Sequence, residues 1–266
     1  MFKKRAISVL IALPIIVAVV WKGNPWVMLL AAAWAILSTN EFYKLVSQSR
    51  GISPVGFFGM LWVALIIFNA NYEWVPFEAI MAAAVMIPLV ILLWRKGKEQ
   101  AFASWAWTVG GILYIGLLLS YYVSLRNLEN GMGWVFLALL CTFASDISAY
   151  LVGGAIGKHK LAPYVSPNKT WEGCAGGLIG SVILSVAVVL VFGLPIDIFQ
   201  AVLLGVLVSV IGQLGDLVKS LFKRNMAVKD SGQALPGHGG FLDRMDSVAF
   251  AGVAVYYFVV YILQAV

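Results

Sequence analysis

Charged residues are scarce in this chain: 11% of its 266 residues are Asp, Glu, Lys or Arg, whereas 62% are hydrophobic. Soluble globular chains carry roughly 25% charged residues, and a soluble domain this apolar would expose large hydrophobic patches to water. The same composition excludes a disordered chain, which combines high charge with low hydrophobicity. The sequence therefore indicates a protein with several membrane-spanning helices.

Cysteine and histidine are also rare, with two residues of each type. Cys141 and Cys174 lie far apart, and no Cys-x-x-Cys pair or Cys/His cluster has the spacing of a zinc site. Gly-x-Ser-x-Gly and Walker A sequences are missing as well. The chain thus lacks the usual signatures of a zinc centre, of acyl transfer and of ATP-driven transport.

Nine uncharged stretches come close to or reach the roughly 20 residues that a transmembrane helix needs. The predicted spans are 6–21, 23–40, 51–72, 79–94, 100–125, 130–145, 173–196, 198–215 and 247–266. We expect the sixth to continue past Asp146 to about Gly157, which places a carboxylate inside a membrane helix. The expected fold is an all-α polytopic membrane helix bundle of nine transmembrane helices, forming a single integral membrane domain over residues 1–266.

Lys and Arg are distributed unequally between alternate loops. Sixteen lie at the N-terminus or in every second loop, and only Lys22 and Arg126 lie on the other side. Because basic loops stay in the cytoplasm, we expect a cytoplasmic N-terminus and a C-terminus on the opposite side. The net charge of +6 is then mainly a topology signal, so no nucleic-acid partner is expected.

Small residues at the start of the seventh span have the spacing of a helix-packing motif. Gly173 and Gly177, and likewise Gly176 and Gly180, are four residues apart. This spacing predicts close packing against another helix and requires no chemistry.

Two cytoplasmic segments, 146–172 and 216–246, hold 14 of the 30 charged residues. An active site is therefore expected there, which divides the chain into N-terminal spans (1–125) and catalytic spans (126–266). In the second segment, one helical face carries acidic, hydroxyl and basic side chains at positions 216, 219, 220, 223 and 224. An acid close to the hydrocarbon is usually functional, which favours a site role for Asp216. Lys219 fits equally well an ordinary collar of lysines that reach the membrane surface.

Acidic residues at the end of the second segment are suited to a divalent cation. Asp243 and Asp246 are three residues apart at the predicted start of the last helix, so both can project to one side. Acids at this position are also stabilised by the helix dipole. With Asp216 from another helix, however, they form an all-oxygen donor set of the kind that binds Mg²⁺.

Phosphate-binding features occur in both segments. Gly239 and Gly240 allow the backbone to turn its N–H groups toward an anion. His238, beside them, is compatible with a phosphate contact and with a purely structural loop position. The first segment supplies polar residues where a helix begins, a place that attracts anions: Ser166, Asn168 and Lys169. Together these features are typical of phosphoryl or nucleotidyl transfer on a lipid.

The run from Ser220 to Asp246 closely resembles the signature of the phosphatidate cytidylyltransferase (CDP-diacylglycerol synthase) family. That signature reads S-x-apolar-K-R-x4-K-D-x-G/S/A-x2-apolar-P/G-x-H-G-G-apolar-x-D-R-apolar-D, and every fixed position matches. Residues 157–163 and 166–173 are also similar to the family. The chain departs from it after Asp146, where Ile147 and Ser148 replace the Thr-Gly that the family often has.

The resemblance implies the reaction of CTP with phosphatidate to give CDP-diacylglycerol and pyrophosphate. It implies a requirement for Mg²⁺, with K⁺ as a second ion, bound by Asp216 and Asp246. It further implies a homodimer in a bacterial-type cytoplasmic (inner) membrane. The expected catalytic residues are Lys223, Arg224, Lys229, Asp230, His238, Asp243 and Arg244. The expected substrate-binding residues are Asp146, Ser166, Asn168, Lys169, Ser220, Gly239 and Gly240.

Some alternatives stay open at the level of the residues. Asp230 and Asp243 can hold the basic side chains in place or add metal contacts. A transporter or an anion-binding channel could use the same charged cluster, with Asp146 and Asp216 serving a coupling ion. Against that alternative, the chain has no inverted repeat and its polar residues gather at one face of the membrane.

The charge asymmetry makes a testable prediction about topology. A reporter fused after Val266 should lie outside the cytoplasm, because an odd number of spans ends on the side opposite to the start. Alkaline phosphatase, which is active only outside the cytoplasm, provides the measurement, and a fusion after Arg50, in a loop expected to be cytoplasmic, is the inactive control. An inactive C-terminal fusion would contradict the count of nine spans.

Overall fold

Helices account for most of the computed structural model, which describes residues 2–95, 98–228, 230–232 and 239–263. The helices are α1 (Phe2–Lys22), α2 (Trp26–Arg50), α3 (Gly56–Tyr72), α4 (Phe77–Leu93), α5 (Ala101–Gly111), α6 (Leu118–Asn127), α7 (Gly131–Ile156), α8 (Trp171–Phe192), α9 (Ile198–Asn225) and α10 (Asp246–Tyr257). The π-helical segment Ile112–Leu117 joins α5 to α6, and the segment Phe258–Leu263 extends α10. Two short strands, β1 (Lys160–Ala162) and β2 (Ser166–Thr170), form an antiparallel hairpin.

Each of the nine predicted spans overlaps one continuous helical stretch within the described residues. Four stretches are long and apolar enough to cross a membrane: Ala101–Asn127, Gly131–Ile156, Trp171–Phe192 and Ile198–Asn225. The chain is therefore a multi-pass membrane protein. Membrane crossing by the other five stretches stays a prediction, as do the sides on which the termini lie.

The sixth predicted span continues past its first acidic residue, as expected. α7 includes Asp146 and ends at Ile156. α2, by contrast, is longer than expected, because it passes Glu41, where the predicted span stops, and ends at Arg50. Gly51 follows in the left-handed conformation with a φ of 65°, a common helix terminator.

The hairpin of β1 and β2 is a local exception to the all-α expectation. Its register pairs Lys160 with Thr170 and Ala162 with Ser166. Pro163 lies in the connection between the strands, and Pro167 lies in β2. Proline disfavours a continued helix, so the chain between α7 and α8 forms a short paired turn instead.

The chain divides into two compact units. The N-terminal unit comprises Met1–Ser124 and Met226–Asp243, and the C-terminal unit comprises Leu125–Asn225 and Arg244–Val266. In the N-terminal unit, the hydroxyl of Tyr43 on α2 donates a hydrogen bond to the carbonyl of Thr108 on α5, at 2.7 Å. Glycines on neighbouring elements lie against the Tyr43 ring, where an added Cβ would overlap it. This buried tyrosine therefore joins α2 to its neighbours within the unit.

In the C-terminal unit, α8 packs against α7 through its glycines. A Cβ added at Gly177 would lie 2.9 Å from the carbonyl oxygen of Ser145, and one added at Gly176 would overlap Val152. Gly173 and Gly180 face α7 in the same way. The predicted small-residue packing is confirmed, and it brings the backbones of the two helices close together.

The beginning of α8 generates a prediction about stability. Thr170 precedes the helix, and its Oγ1 accepts a hydrogen bond from the N–H of Gly173 at 3.1 Å. Thr170→Ala removes this cap and should cost about 1 kcal/mol of stability, whereas Thr170→Ser keeps the hydroxyl. Thermal unfolding in detergent should show a Tm about 2–4 °C lower for the alanine variant alone. Equal Tm values for the two variants would mean that the cap contributes nothing.

Candidate active site

The junction of α9 and α10 brings two acidic residues of the signature together. Gly215 on α9 lies against the backbone of Asp246, and an added Cβ would be 2.7 Å from the Asp246 carbonyl oxygen. Real Cβ atoms do not approach this closely, so a larger residue would push the two helices apart. The glycine therefore allows Asp216, the next residue along α9, to lie near the beginning of α10.

Lys219 bridges these two carboxylates. Its Nζ donates to Asp216 Oδ1 at 3.1 Å and also forms an ion pair with Asp246 Oδ2. The lysine is buried, with 9% of its surface exposed, and so is Asp246, with 8%. A buried ammonium needs a carboxylate partner, and Lys219 has two. The structure therefore favours a site role for this lysine over a collar position at the membrane surface.

Lys169 adds a second ammonium from the hairpin. Its Nζ pairs with Asp216 Oδ2, the oxygen that Lys219 does not use. The hairpin is held to α9 by Arg224, whose Nε donates to the carbonyl of Val165 at 3.3 Å. At its other end, the N–H of Trp171 donates to the carbonyl of His159 at 2.9 Å. The hairpin that the sequence did not predict is thus the element that supplies Lys169.

Asp146 contributes a third carboxylate from α7. The hydroxyl of Ser247 lies 3.4 Å from Asp146 Oδ2 and 3.3 Å from Asp246 Oδ1, and it can donate to one of them at a time. Asp146 also interacts electrostatically with Asp216 and with both lysines. We call the five ionisable residues of this site the acid–lysine cluster: Asp146, Lys169, Asp216, Lys219 and Asp246. All of them belong to the C-terminal unit.

The charges and donor atoms of the acid–lysine cluster fit a magnesium ion. Three carboxylates face two ammonium groups, which leaves one excess negative charge among these five side chains. Every available donor is an oxygen, as Mg²⁺ prefers, and two carboxylates completed by substrate phosphates are a usual ligand set. The described residues contain no group of three or more acidic, His or Cys side chains arranged to hold a metal by themselves. The cluster therefore fits a magnesium ion whose remaining ligands come from a phosphate substrate.

The end of α9 carries three further predicted site residues. α9 continues to Asn225, so Ser220, Lys223 and Arg224 follow Asp216 on a regular helix, as expected. Lys223 is half-buried, whereas Arg224 is exposed. Ser166 and Asn168 lie on β2, and Asn168 is exposed.

Asp243 does not occupy the position expected for it. Residues Leu242–Arg244 form a 3₁₀ turn, and α10 begins only at Asp246, so the two aspartates do not share the first turn of one helix. The Asp243 carboxylate accepts backbone hydrogen bonds from Ser231 at 2.8 Å and from Gly240 at 3.1 Å. Buried backbone donors require partners, and Asp243 supplies them. The N–H of Gly240, expected to face a phosphate, is engaged in this way.

The structure describes only some of the other residues of the signature loop. Asp230 and Arg244 are exposed, and Gly239 has a φ of 83°. Lys229 and His238 lie outside the described residues, so their expected roles stay predictions.

Sequence reasoning missed Ser247 and Glu41, and it left the role of Lys219 undecided. Lys219 carries a usable signal, because it lies one turn after Asp216 on the same helical face. Ser247 follows Asp246 directly and has no distinguishing pattern. Glu41 is an isolated acid in the N-terminal half, and its carboxylate accepts a hydrogen bond from the N–H of Leu242 at 3.0 Å. No local sequence pattern distinguishes it.

Comparisons with known proteins show which family the whole sequence resembles. The model of the cytidylyltransferase family matches residues 3–262. A phosphatidate cytidylyltransferase of Staphylococcus haemolyticus is 34% identical over 250 residues, which cover 93% of this chain and 95% of the relative. A phosphatidate cytidylyltransferase of Bacillus subtilis is 33% identical over 260 residues, covering 96% of each chain. One from Staphylococcus aureus (strain COL) is 34% identical over 256 residues, covering 93% of this chain and 95% of the relative.

The bridge formed by Lys219 generates a prediction about stability. Lys219→Met leaves two nearby carboxylates without the ammonium between them, and breaking a buried ion pair in this way costs about 3–5 kcal/mol. The double variant Lys219→Met/Asp246→Asn removes one of those carboxylates and should be more stable than the sum of the single changes, by about 0.5–3 kcal/mol. Unfolding in detergent measures all three variants. Lys160→Met, at an exposed residue of the hairpin, is the control, and strictly additive effects would argue against the bridge.

Proposed function

Because this chain belongs to the cytidylyltransferase family, we propose that it transfers the cytidylyl group of CTP to phosphatidate, yielding CDP-diacylglycerol and pyrophosphate for phospholipid synthesis. The observation that carries the proposal is the acid–lysine cluster, which lies in a chain that matches phosphatidate cytidylyltransferases over 93% or more of its length. These relatives are named as transferases, so the transporter alternative has no support from them.

The proposed reaction needs positioning and charge neutralisation more than acid–base catalysis. An oxygen of the phosphatidate phosphate attacks the α-phosphorus of CTP, and the bond from that phosphorus to the oxygen bridging toward the β-phosphorus breaks. Pyrophosphate leaves with the electron pair of that bond. The attacking phosphate is already an anion, so no strong base is required. The barrier comes from bringing two anions together in line.

Basic side chains of the C-terminal unit are suited to lower that barrier. Lys169 and Lys219 place two ammonium groups among the carboxylates of the acid–lysine cluster. Lys223 and Arg224 extend the positive charge along the end of α9. Preorganised positive groups stabilise the charge that develops on phosphate oxygens, and the planar guanidinium of Arg224 can contact two of those oxygens at once. Ser166, Asn168 and Ser220 add polar groups for substrate binding.

We propose Asp216 and Asp246 as the residues that hold Mg²⁺. Their carboxylates already share one cationic group, the ammonium of Lys219, so both can face a single positive centre. When bound, the metal would neutralise phosphate charge and bring the substrates into contact. Asp146 supplies the excess negative charge that favours a divalent ion at this place. A second ion, K⁺, is proposed on the family resemblance alone.

The setting of the reaction is also part of the proposal. Phosphatidate is a membrane lipid, and the chain is a multi-pass membrane protein with four long apolar helices among its described residues. We propose that it acts as a homodimer in a bacterial cytoplasmic membrane. The roles proposed for Lys229, Asp230, His238, Asp243 and Arg244 rest on the signature sequence.

Purified protein in detergent, supplied with phosphatidate and labelled CTP, tests the function directly. Formation of a labelled lipid with release of pyrophosphate is the expected result, and omission of phosphatidate is the control. Addition of EDTA should stop the reaction, and excess Mg²⁺ should restore it. Labelled lipid that forms equally well in EDTA would remove the metal from the proposal and leave the transfer reaction in place.

Substitution of the proposed metal ligands makes the sharpest prediction. Asp216→Asn and Asp246→Asn should each lower kcat by about 10²–10³-fold, because each removes a carboxylate that would hold the metal ion which offsets phosphate charge in the transition state. Asp197→Asn makes the same chemical change before the opposite end of α9, where the Asp197 carboxylate accepts the N–H of Gln200 at 2.7 Å. Asparagine also caps helices well, so this control should keep full activity. A variant at 216 or 246 with normal Mg²⁺-dependent turnover would exclude that residue as a ligand.

A further inference from the structure

One face of α2 lies against both described stems of the signature loop, residues 230–232 and 239–242. Trp34 Nε1 donates a hydrogen bond to the carbonyl of Phe241 at 3.2 Å. The rings of Trp34 and Phe241 also meet edge to face, with centroids 5.2 Å apart. Glu41 follows Trp34 after two helical turns and therefore lies on the same face of α2.

The carboxylate of Glu41 contacts the two stems simultaneously. Its Oε2 accepts a hydrogen bond from the N–H of Leu242 at 3.0 Å and lies 3.4 Å from the hydroxyl of Ser231. Leu242 belongs to one stem and Ser231 to the other. One oxygen atom of α2 thus joins residues that are eleven positions apart in the loop.

Glycines give the Glu41 carboxylate its place. A Cβ added at Gly232 would lie 2.7 Å from Glu41 Oε1, and one added at Gly240 would overlap Oε2. The absence of a side chain at both positions leaves room for the carboxylate against the stems. Both glycines belong to the signature, and both lie against the carboxylate of Glu41.

Asp243, which lies within the loop, provides a second carboxylate that contacts both stems. Asp243 accepts the N–H groups of Ser231 and Gly240, so it too joins the two stems. Asp243 belongs to the loop itself, and these two hydrogen bonds join its stems to each other. Glu41 connects both stems to α2, a helix of 25 residues that includes a predicted span.

We propose that Glu41 is a positioning residue for the transfer reaction, which fixes both stems of the signature loop to α2. The inference rests on the proposed function, because the loop carries residues expected to act on the substrates. It assigns to the N-terminal half of the chain a part in catalysis that the signature does not contain. Glu41 acts through the loop and is not assigned a contact with substrate.

The test compares Glu41→Ala and Glu41→Gln with the wild-type protein and with Gln48→Ala. Gln48 is exposed on α2, seven residues after Glu41 and on the same helical face, so its variant controls for any change to that face. Steady-state kinetics are measured with CTP and phosphatidate varied separately. Hydrogen exchange is measured for the amides of residues 230–232 and 239–242, in detergent and without substrate.

Glu41→Ala should lower kcat by about 10- to 100-fold, because small displacements of reacting groups have effects of this size. Exchange of the stem amides should become at least about tenfold faster, since their local opening is no longer restrained. Glu41→Gln keeps a side chain of the same length with one acceptor oxygen, so it should recover part of both losses. Gln48→Ala should match the wild type in both measurements.

Two results would overturn the proposal. One is unchanged exchange of the stem amides in Glu41→Ala, which would show that the carboxylate does not hold them. The other is faster exchange with unchanged kcat, which would show that the held geometry does not matter for the reaction. If Glu41→Ala fails to fold, Glu41→Gln decides by the same two measurements. A wild-type protein that forms no labelled lipid would defeat the proposed function, whereas the exchange experiment would still show whether Glu41 holds the loop.

Discussion

The ammonium of Lys219 is the group on which the arrangement of the C-terminal unit's site depends. It is shared by carboxylates from α9 and α10, which would repel each other without a cation between them. At the close approach of the two helices near Gly215, this positive charge offsets the repulsion between the two acids. Lys169 and Asp146 then extend the same alternation of charge to the hairpin and to α7. The site is thus assembled from four separate elements whose common feature is charge pairing.

Carboxylates also organise part of the N-terminal unit, where they accept hydrogen bonds from backbone N–H groups. The carboxylates of Glu41 and Asp243 accept hydrogen bonds from backbone N–H groups, so they help to organise the described stems of the signature loop. Backbone donors in such a segment need acceptors, and a carboxylate offers several. In the acid–lysine cluster the acids pair with lysines and stay suited to a metal. In the loop, the carboxylates of Glu41 and Asp243 bind backbone N–H groups.

The features that sequence reasoning predicted are local ones. Uncharged stretches locate the helices because charge is costly in hydrocarbon, and helical periodicity places Asp216 and Lys223 along one face of α9. The glycine spacing in α8 likewise predicts its packing, because the motif lies within one helix. Asp243 was placed wrongly because the same aspartate pattern fits either a helix start or a 3₁₀ turn. The hairpin that supplies Lys169 depends on pairing between short strands, and Glu41 depends on a partner about 200 residues away, so neither has a local pattern.

That separation has a consequence for how the protein is made. The contacts from α2 to the loop connect residues 190 to 207 positions apart, so they form only after nearly the whole chain has left the ribosome. At synthesis rates of about 5–20 residues per second, α2 waits roughly 10–40 s for its partner. During that interval Glu41 and Trp34 lack the loop contacts that they make in the folded chain. The contacts of Glu41 with the loop are therefore among the last long-range contacts of the chain to form.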